Sequence, residues 1–236
     1  MEHRLKLVKN TGEAVDATRY RSIIGSLRYL VNTRPDIAYA VGVASRFMEA
    51  PGKQHWAIIR QILRYVRGTL NYGCPYKAGK GTGLTGFSDS DHAGDLTDRK
   101  STTGLVFFMG PSVITWSSQK QKIVALSSCE AEYIAAATQA VWLRELVSEM
   151  LGTGKQKVQL KIDNKSAIEV NKNLVHHERS KHIDLRYHYI RECVEERKVE
   201  VEHVRTKDQL ADILTKSLGR AKFTELRCRL GIIQVK

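Results

Sequence analysis

The spacing of apolar residues changes at Gly79-Lys-Gly-Thr-Gly83, and that change restricts the chain to two kinds of structure in series. Before the joint, Tyr20, Ile23, Ile24, Leu27, Leu30 and Val31 recur at helical spacing and predict a first helix. Pro35 opens a second, because proline is tolerated in a first turn, and Ile37, Ala40, Val41, Ala44, Phe47 and Met48 form its stripe. Pro51-Gly52 breaks it, and a third helix runs from about His55 to Arg67. After the joint, Leu84–Ser90, Leu105–Met109 and Val113–Ser117 read as strands, the last two parted by the turn Gly110-Pro-Ser112. A long helix over about Ser128–Leu151 ends at Gly152 and Gly154. Then come a strand at Val158–Ile162, a helix from about Lys165, another marked by Ile183, Tyr187, Ile190 and Val194, and a strand at Val199–Val204. Helices from near Asp208 and over about Ala221–Leu230 complete the order. This is an α/β fold: a five-stranded mixed sheet flanked by helices and preceded by a small helical segment. The expected division is a loose segment at 1–16, a helical segment at 17–78 and a main domain at 79–236.

Charge narrows the function. Lys and Arg number 38 against 25 Asp and Glu, a net charge of +13 over 236 residues. Such a balance predicts a polyanionic partner, nucleic acid ahead of a membrane surface. No apolar run is long enough to span a bilayer, so no membrane partner is expected. Met1–Asn10 lacks the apolar core of a secretory signal. Cys74, Cys129, Cys193 and Cys228 are far apart without Cys-x-x-Cys spacing. They fit reduced thiols in a cytoplasmic or nuclear protein better than a disulfide frame or a zinc site.

Within this cationic chain four acids stand in distinctive contexts: Asp89, Glu132, Asp163 and Asp212. Carboxylates that converge repel one another unless a cation lies between them, and divalent metal ions are the usual solution. Each acid also has a bland explanation. Phe87, Asp89 and Asp91 share one strand face, so Asp89 and Asp91 compete, and a lone strand acid is often an edge solubiliser. Glu130 and Glu132 point about opposite ways on a helix, and Glu130 suits the helix dipole near the start. Asp163 ends a strand and could cap the next helix, although Asn164 can do that instead. Asp212 reads equally well as an acid in a first helical turn.

The stretches around these acids resemble one family. Phe87-Ser-Asp-Ser-Asp-His-Ala-Gly-Asp95, Asp98-Arg-Lys-Ser-Thr-Thr-Gly104 and Ser127-Ser-Cys-Glu-Ala-Glu-Tyr133 come first. Asp163-Asn-Lys-Ser-Ala-Ile168, Lys181-His-Ile-Asp-Leu-Arg-Tyr-His188 and Ala211-Asp-Ile-Leu-Thr-Lys216 follow. In this order they are similar to the ribonuclease H domain of Ty1/copia-type retrotransposon polyproteins. Tyr20–Leu30 and Arg34-Pro-Asp-Ile-Ala38 resemble the segment that joins reverse transcriptase to that domain. No Asp-Asp pair occurs, so the polymerase signature is missing.

The resemblance implies a ribonuclease H-like fold. It selects Asp89, Glu132, Asp163 and Asp212 as catalytic and metal-binding residues. It implies two ions, Mg²⁺ or Mn²⁺, as hard oxygen ligands prefer, and cleavage of the RNA strand of an RNA–DNA hybrid to 5′-phosphate and 3′-hydroxyl ends. A further expected partner is the reverse transcriptase portion of the same polyprotein. Arg179, Lys181, His182 and Arg186 read as a cationic helix face along phosphates, with a zinc site disfavoured by spacing. Arg99, Lys100, Ser101 and Thr102 form a second candidate phosphate contact, and Asn164 joins the nucleic-acid-binding set. The chain departs from the family between Val204 and Asp212, where the mobile-loop histidine is missing. His203 reads as a strand end, and Lys207 is the available stand-in. A rival reading is a hybrid-binding module whose catalysis has decayed. A DNA-cutting transposase or integrase of related fold is another, disfavoured by the fourth acid and the copia-like contexts.

Overall fold

The structure, a computed structural model, describes residues 7, 13–76, 81–91, 98, 100–121, 128–163 and 192–235, with the backbone alone at 128–135. Helix α1 (Ala17–Leu30) starts where the Asp16 carboxylate accepts from the backbone N–H of Thr18 at 2.9 Å and of Arg19 at 3.1 Å. Pro35–Ile37 forms a single 3₁₀ turn rather than the first turn of the next helix, and α2 (Ala38–Ser45) follows it. Helix α3 (Lys53–Arg67) begins two residues earlier than its apolar stripe suggests, because Gly52 N–H donates to His55 Nδ1 at 2.9 Å and caps the start. Tyr20, Ile24 and Leu27 of α1 pack with Val41 of α2 and Ile58 and Ile59 of α3. The Tyr20 hydroxyl, fully buried, donates to Ala44 O at 2.8 Å.

Seven strands among the described residues come after these three helices: β1 (Tyr72–Gly73), β2 (Leu84–Ser90), β3 (Thr102–Met109), β4 (Ser112–Lys120), β5 (Val158–Ile162), β6 (Val199–His203) and β7 (Ile233–Gln234). Helix α4 (Ser128–Leu151) lies between β4 and β5 in sequence, and α5 (Asp212–Thr215) and α6 (Arg220–Arg229) lie between β6 and β7. The main sheet has the order β4-β3-β2-β5-β6. β2 pairs antiparallel with β3 and parallel with β5, and β5 pairs parallel with β6. This is the five-stranded mixed sheet of a ribonuclease H-like fold, with the small helical unit before it. β3 and β4 run longer than their apolar cores because polar ends complete the backbone ladder, from Thr102 opposite Lys120 inward. The helices read from Lys165 and Ile183 lie outside the described residues, apart from a helical turn at 192–195.

Both faces of the sheet are covered. Val106 and Phe108 point to one face and Phe107 to the other, as the two-residue period of a strand requires. On the Phe107 side, Ala136, Ala137 and Ala140 bring α4 close to Leu84 and Leu160. On the opposite side Leu214, Leu226 and Leu230 cover Val106 and Phe108. The helical unit packs on this second face. Ala38 joins its core, and Trp116 Nε1 donates to Val31 O at 2.9 Å. β1 and β7 pair antiparallel and fasten residues 72–73 to 233–234.

The Arg34-Pro-Asp36 stretch supplies a buried anchor between these parts. Arg34 Nε and Nη2 donate to the two Asp36 oxygens at 2.9 and 2.7 Å. Nη1 and Nη2 also reach Thr69 O at 3.1 Å and Thr69 Oγ1 at 2.9 Å. The Tyr65 hydroxyl donates to Asp36 Oδ2 at 2.6 Å, and Arg227 of α6 reaches that hydroxyl at 3.3 Å.

Candidate metal centre

Parallel pairing places two acids side by side. Ser88 of β2 is opposite Ile162 of β5 in register. Asp89 therefore lies next to Asp163, which follows Ile162 where β5 ends. Ligands collect at the carboxyl ends of strands in sheets of this kind.

A glycine brings the third acid in. Gly104 of β3 is opposite Asp89 in register. A Cβ at Gly104 would stand 2.6 Å from Thr215 Cγ2, 2.8 Å from Leu214 Cβ and 3.0 Å from Ala211 O. The missing side chain lets α5 rest directly on β3, which sets Asp212 beside Asp89. Two hydrogen bonds hold this approach: Ser118 Oγ donates to Leu214 O at 2.6 Å, and the Thr215 hydroxyl donates to Asp89 Oδ2. Gln209 secures the preceding turn. Its Nε2 donates to Ser88 O at 2.7 Å and its Oε1 accepts from Ala211 N–H at 3.1 Å. That side-chain bonding holds 206–208 as a 3₁₀ turn and delays the helix, expected from near Asp208, until Asp212.

Asp89, Asp163 and Asp212 each offer an oxygen, and these lie within 4.8 Å of one another. Asp89 and Asp212 are buried, at 4% and 5% exposure, and Asp163 is half-buried. Lys216 enters the cluster with its ammonium 2.7 Å from Asp212 Oδ1 and 3.5 Å from Asp89 Oδ2. The Lys216 ammonium is thus the charged partner of the buried Asp212 oxygen and is shared with Asp89. Burial, followed by the charge of Asp89, pushes the Asp212 carboxyl up to about 7, although Lys216 pulls the other way. The Asp163 carboxyl is raised by the same two causes and eased by Lys216 and His203. Burial lowers the Lys216 ammonium, but Asp89, Asp212 and Asp163 together outweigh it and raise the group. Each shift reports the same shortage of positive charge. An all-oxygen donor set of three carboxylates with one lysine among them fits a hard divalent cation such as Mg²⁺ or Mn²⁺.

The remaining sequence candidates fall out as follows. Glu132 belongs to α4, and its side chain lies outside the described residues. So do Arg99, Asn164, Arg179, Lys181, His182 and Arg186. Lys100 pairs with Asp98 at 3.7 Å. Ser101 and Thr102 are buried, and the Thr102 hydroxyl accepts from Arg46 at 2.9 Å, so it faces the helical unit. The Asp91 carboxylate accepts from the Thr102 backbone N–H at the start of β3, outside the cluster of three. His203 is the last residue of β6. Thr215, Lys216, Gln209 and Gly104 were missed as site residues. Thr215 and Lys216 stood inside the quoted Ala211–Lys216 stretch, and their position there was the available signal. No described helix is long and apolar enough to cross a membrane.

Comparison with known proteins gives relatives over almost all of the chain. It is 47% identical over 208 residues to the "Retrovirus-related Pol polyprotein from transposon TNT 1-94" of Nicotiana tabacum, which covers 86% of this chain and 16% of that protein. It is 42% identical over 234 residues to the "Retrovirus-related Pol polyprotein from transposon RE2" of Arabidopsis thaliana, covering 98% of this chain and 16% of that one. The chain thus spans a small part of the relatives it matches. Among solved structures, the foamy viral protease-reverse transcriptase in complex with RNA/DNA hybrid aligns with a TM-score of 0.52 at 11% identity, over 89% of this chain and 27% of that one. No family model matches the chain.

Proposed function

The chain belongs with the retrovirus-related Pol polyproteins of copia-type transposons, matching one segment of them, and from that premise we propose that it cleaves the RNA strand of RNA–DNA hybrids with the help of two divalent ions. The observation that carries this reading is the convergence of Asp89, Asp163 and Asp212 from three separate elements. Three acids of a +13 protein gather round a single lysine. A structural network would neutralise them, whereas a binding site leaves the shortage for its ligand.

Asp89, Asp163 and Asp212, with Glu132 from α4, would hold Mg²⁺ or Mn²⁺. Bound ions of this kind activate a water and stabilise the leaving 3′ oxygen. The chain's part is to fix the ligands. β2 and β5 set Asp89 and Asp163 by register, Gly104 admits α5, and the Thr215 hydroxyl orients one Asp89 oxygen. Discrimination of RNA from DNA at the cut strand rests on the 2′-OH. Arg99, Lys100, Arg179, Lys181, His182 and Arg186 supply charge for the hybrid's phosphates, with Asn164 as a polar neighbour, whereas the buried Ser101 and Thr102 drop out of the set. The reverse transcriptase portion of the same polyprotein is the proposed protein partner.

The test is incubation of the chain with end-labelled hybrid and Mg²⁺ or Mn²⁺. The expected result is RNA-strand cleavage to 5′-phosphate and 3′-hydroxyl ends, abolished by EDTA and restored by added metal. Full activity in EDTA sinks the two-ion reading. Tight hybrid binding without any cleavage supports the decayed binding module instead.

A further inference from the structure

Lys216 has no assigned role in the chemistry above, yet it lies among the acids of the cluster. Its ammonium reaches two carboxylates on different elements, Asp212 of α5 and Asp89 of β2. An ordinary helix-surface pair joins one lysine to one exposed acid. Here the two acids are only 6% and 8% exposed at the side chain, while the lysine is 39% exposed. The acids are fixed and enclosed, and the cation is the movable member. Lys216 follows the last residue of α5 in extended backbone, with its N–H donating to Asp212 O at 3.2 Å, so its long side chain is not locked by helix packing.

A single ammonium satisfies this cluster poorly. Its one charge is divided between two carboxylates, 2.7 Å from Asp212 Oδ1 and 3.5 Å from Asp89 Oδ2, with Asp163 beside them. A dication offers twice the charge and no tether. Both cations draw on the same Asp89 and Asp212 oxygens, and they repel each other at that separation.

We propose that Lys216 is a built-in counter-cation of the acidic cluster, a positioning residue that holds Asp89 and Asp212 together and that divalent metal must displace. The proposal deepens the two-ion reading above and rests on it. It makes Lys216 stabilising for the fold and unfavourable for metal binding at once. Simple structural support would act in one direction only: its loss would loosen the ligands, and fold and metal affinity would fall together.

The experiment compares the full chain with Lys216→Met and Lys216→Arg, using Mn²⁺ alone as the probe. Isothermal titration gives the affinity, and thermal melting is recorded in EDTA and in saturating Mn²⁺. Lys216→Met should bind Mn²⁺ about tenfold more tightly, ~1.4 kcal/mol, and melt lower than wild type in EDTA, with the gap closing in Mn²⁺. Lys216→Arg keeps the charge and should stay near wild type in both. Unchanged or weaker Mn²⁺ binding by Lys216→Met overturns the proposal. Should that variant not fold, Lys216→Gln serves in its place, and wild-type Mn²⁺ affinity there overturns it equally. If no variant binds Mn²⁺, the two-ion reading fails. The displacement proposal then falls with it, whereas Mn²⁺ binding by wild type with unchanged or weaker binding by Lys216→Met overturns the proposal alone.

Discussion

Two buried clusters of charge lie on either side of the contact between the helical unit and the sheet, and they are built in opposite ways. Around Asp36 the charges are matched. One arginine grips both carboxylate oxygens in a fork, Tyr65 adds a third hydrogen bond, and Thr69 accepts two more from the guanidinium. The Tyr65 hydroxyl is pushed up to about 12 by burial and by the Asp36 charge, so it stays a donor at any ordinary pH. Around Asp89 three acids share one lysine. The first cluster is closed and holds the molecule together. The second is open and is fit to hold something else. Burial alone therefore does not separate structural from functional charge, whereas the balance of donors, acceptors and sign does.

The contrast is strongest if Asp163 is changed. Asp163→Asn keeps the shape and removes a ligand charge. Hybrid cleavage should fall by about 10³-fold or more, as when one member of a group acting together is lost. The melting temperature in EDTA should hold or rise, because repulsion with Asp89 is relieved. Activity above a tenth of wild type would place the metal ligands elsewhere. In the closed cluster the same chemistry should do the reverse. Asp36→Asn leaves Arg34 buried without its counter-charge and should cost about 3–5 kcal/mol in urea melts, the scale for breaking a buried pair. Mn²⁺ affinity of the folded fraction should not move. A stable Asp36→Asn protein would show that the anchor is dispensable. Gly104→Ala tests the bridge between fold and site. The added methyl meets Thr215, Leu214 and Ala211 O, and should cost about 1–3 kcal/mol by overpacking. It should also weaken Mn²⁺ binding, since α5 must lift away from Asp89. Wild-type binding by a destabilised Gly104→Ala chain would separate the position of α5 from ligand geometry.

Much of this could be read from the sequence, and what could not has a common cause. β2, α4 and β5 occupy the spans that apolar period and turn residues predicted, because those signals are local. Asp89, Asp163 and Asp212 were legible for another reason: each sits in a short context of its own, and the resemblance ordered them. Lys216, Gly104 and the Arg34–Asp36 anchor each need a partner distant in the chain as well: Asp89, α5, and Tyr65 with Thr69. Gly104 looks like a turn or strand glycine until α5 is laid on it. Asp36 looks like a first-turn acid until Tyr65 and Arg34 close round it. Glycine and paired charge say little about their partners in sequence, since what they require is a neighbour in space.

The close seat of α5 on Gly104 also bears on how copies of such a chain are judged. A count of acidic residues alone would score a transposon copy as intact. Here Asp212 reaches its place because a different residue, on a different strand, has no side chain. On the proposed reading, a copy with all four acids and a larger residue at position 104 would pass such a count with a weakened centre. The genetic target for silencing the proposed activity is thus wider than the acids, and a census of working copies has to include the glycine.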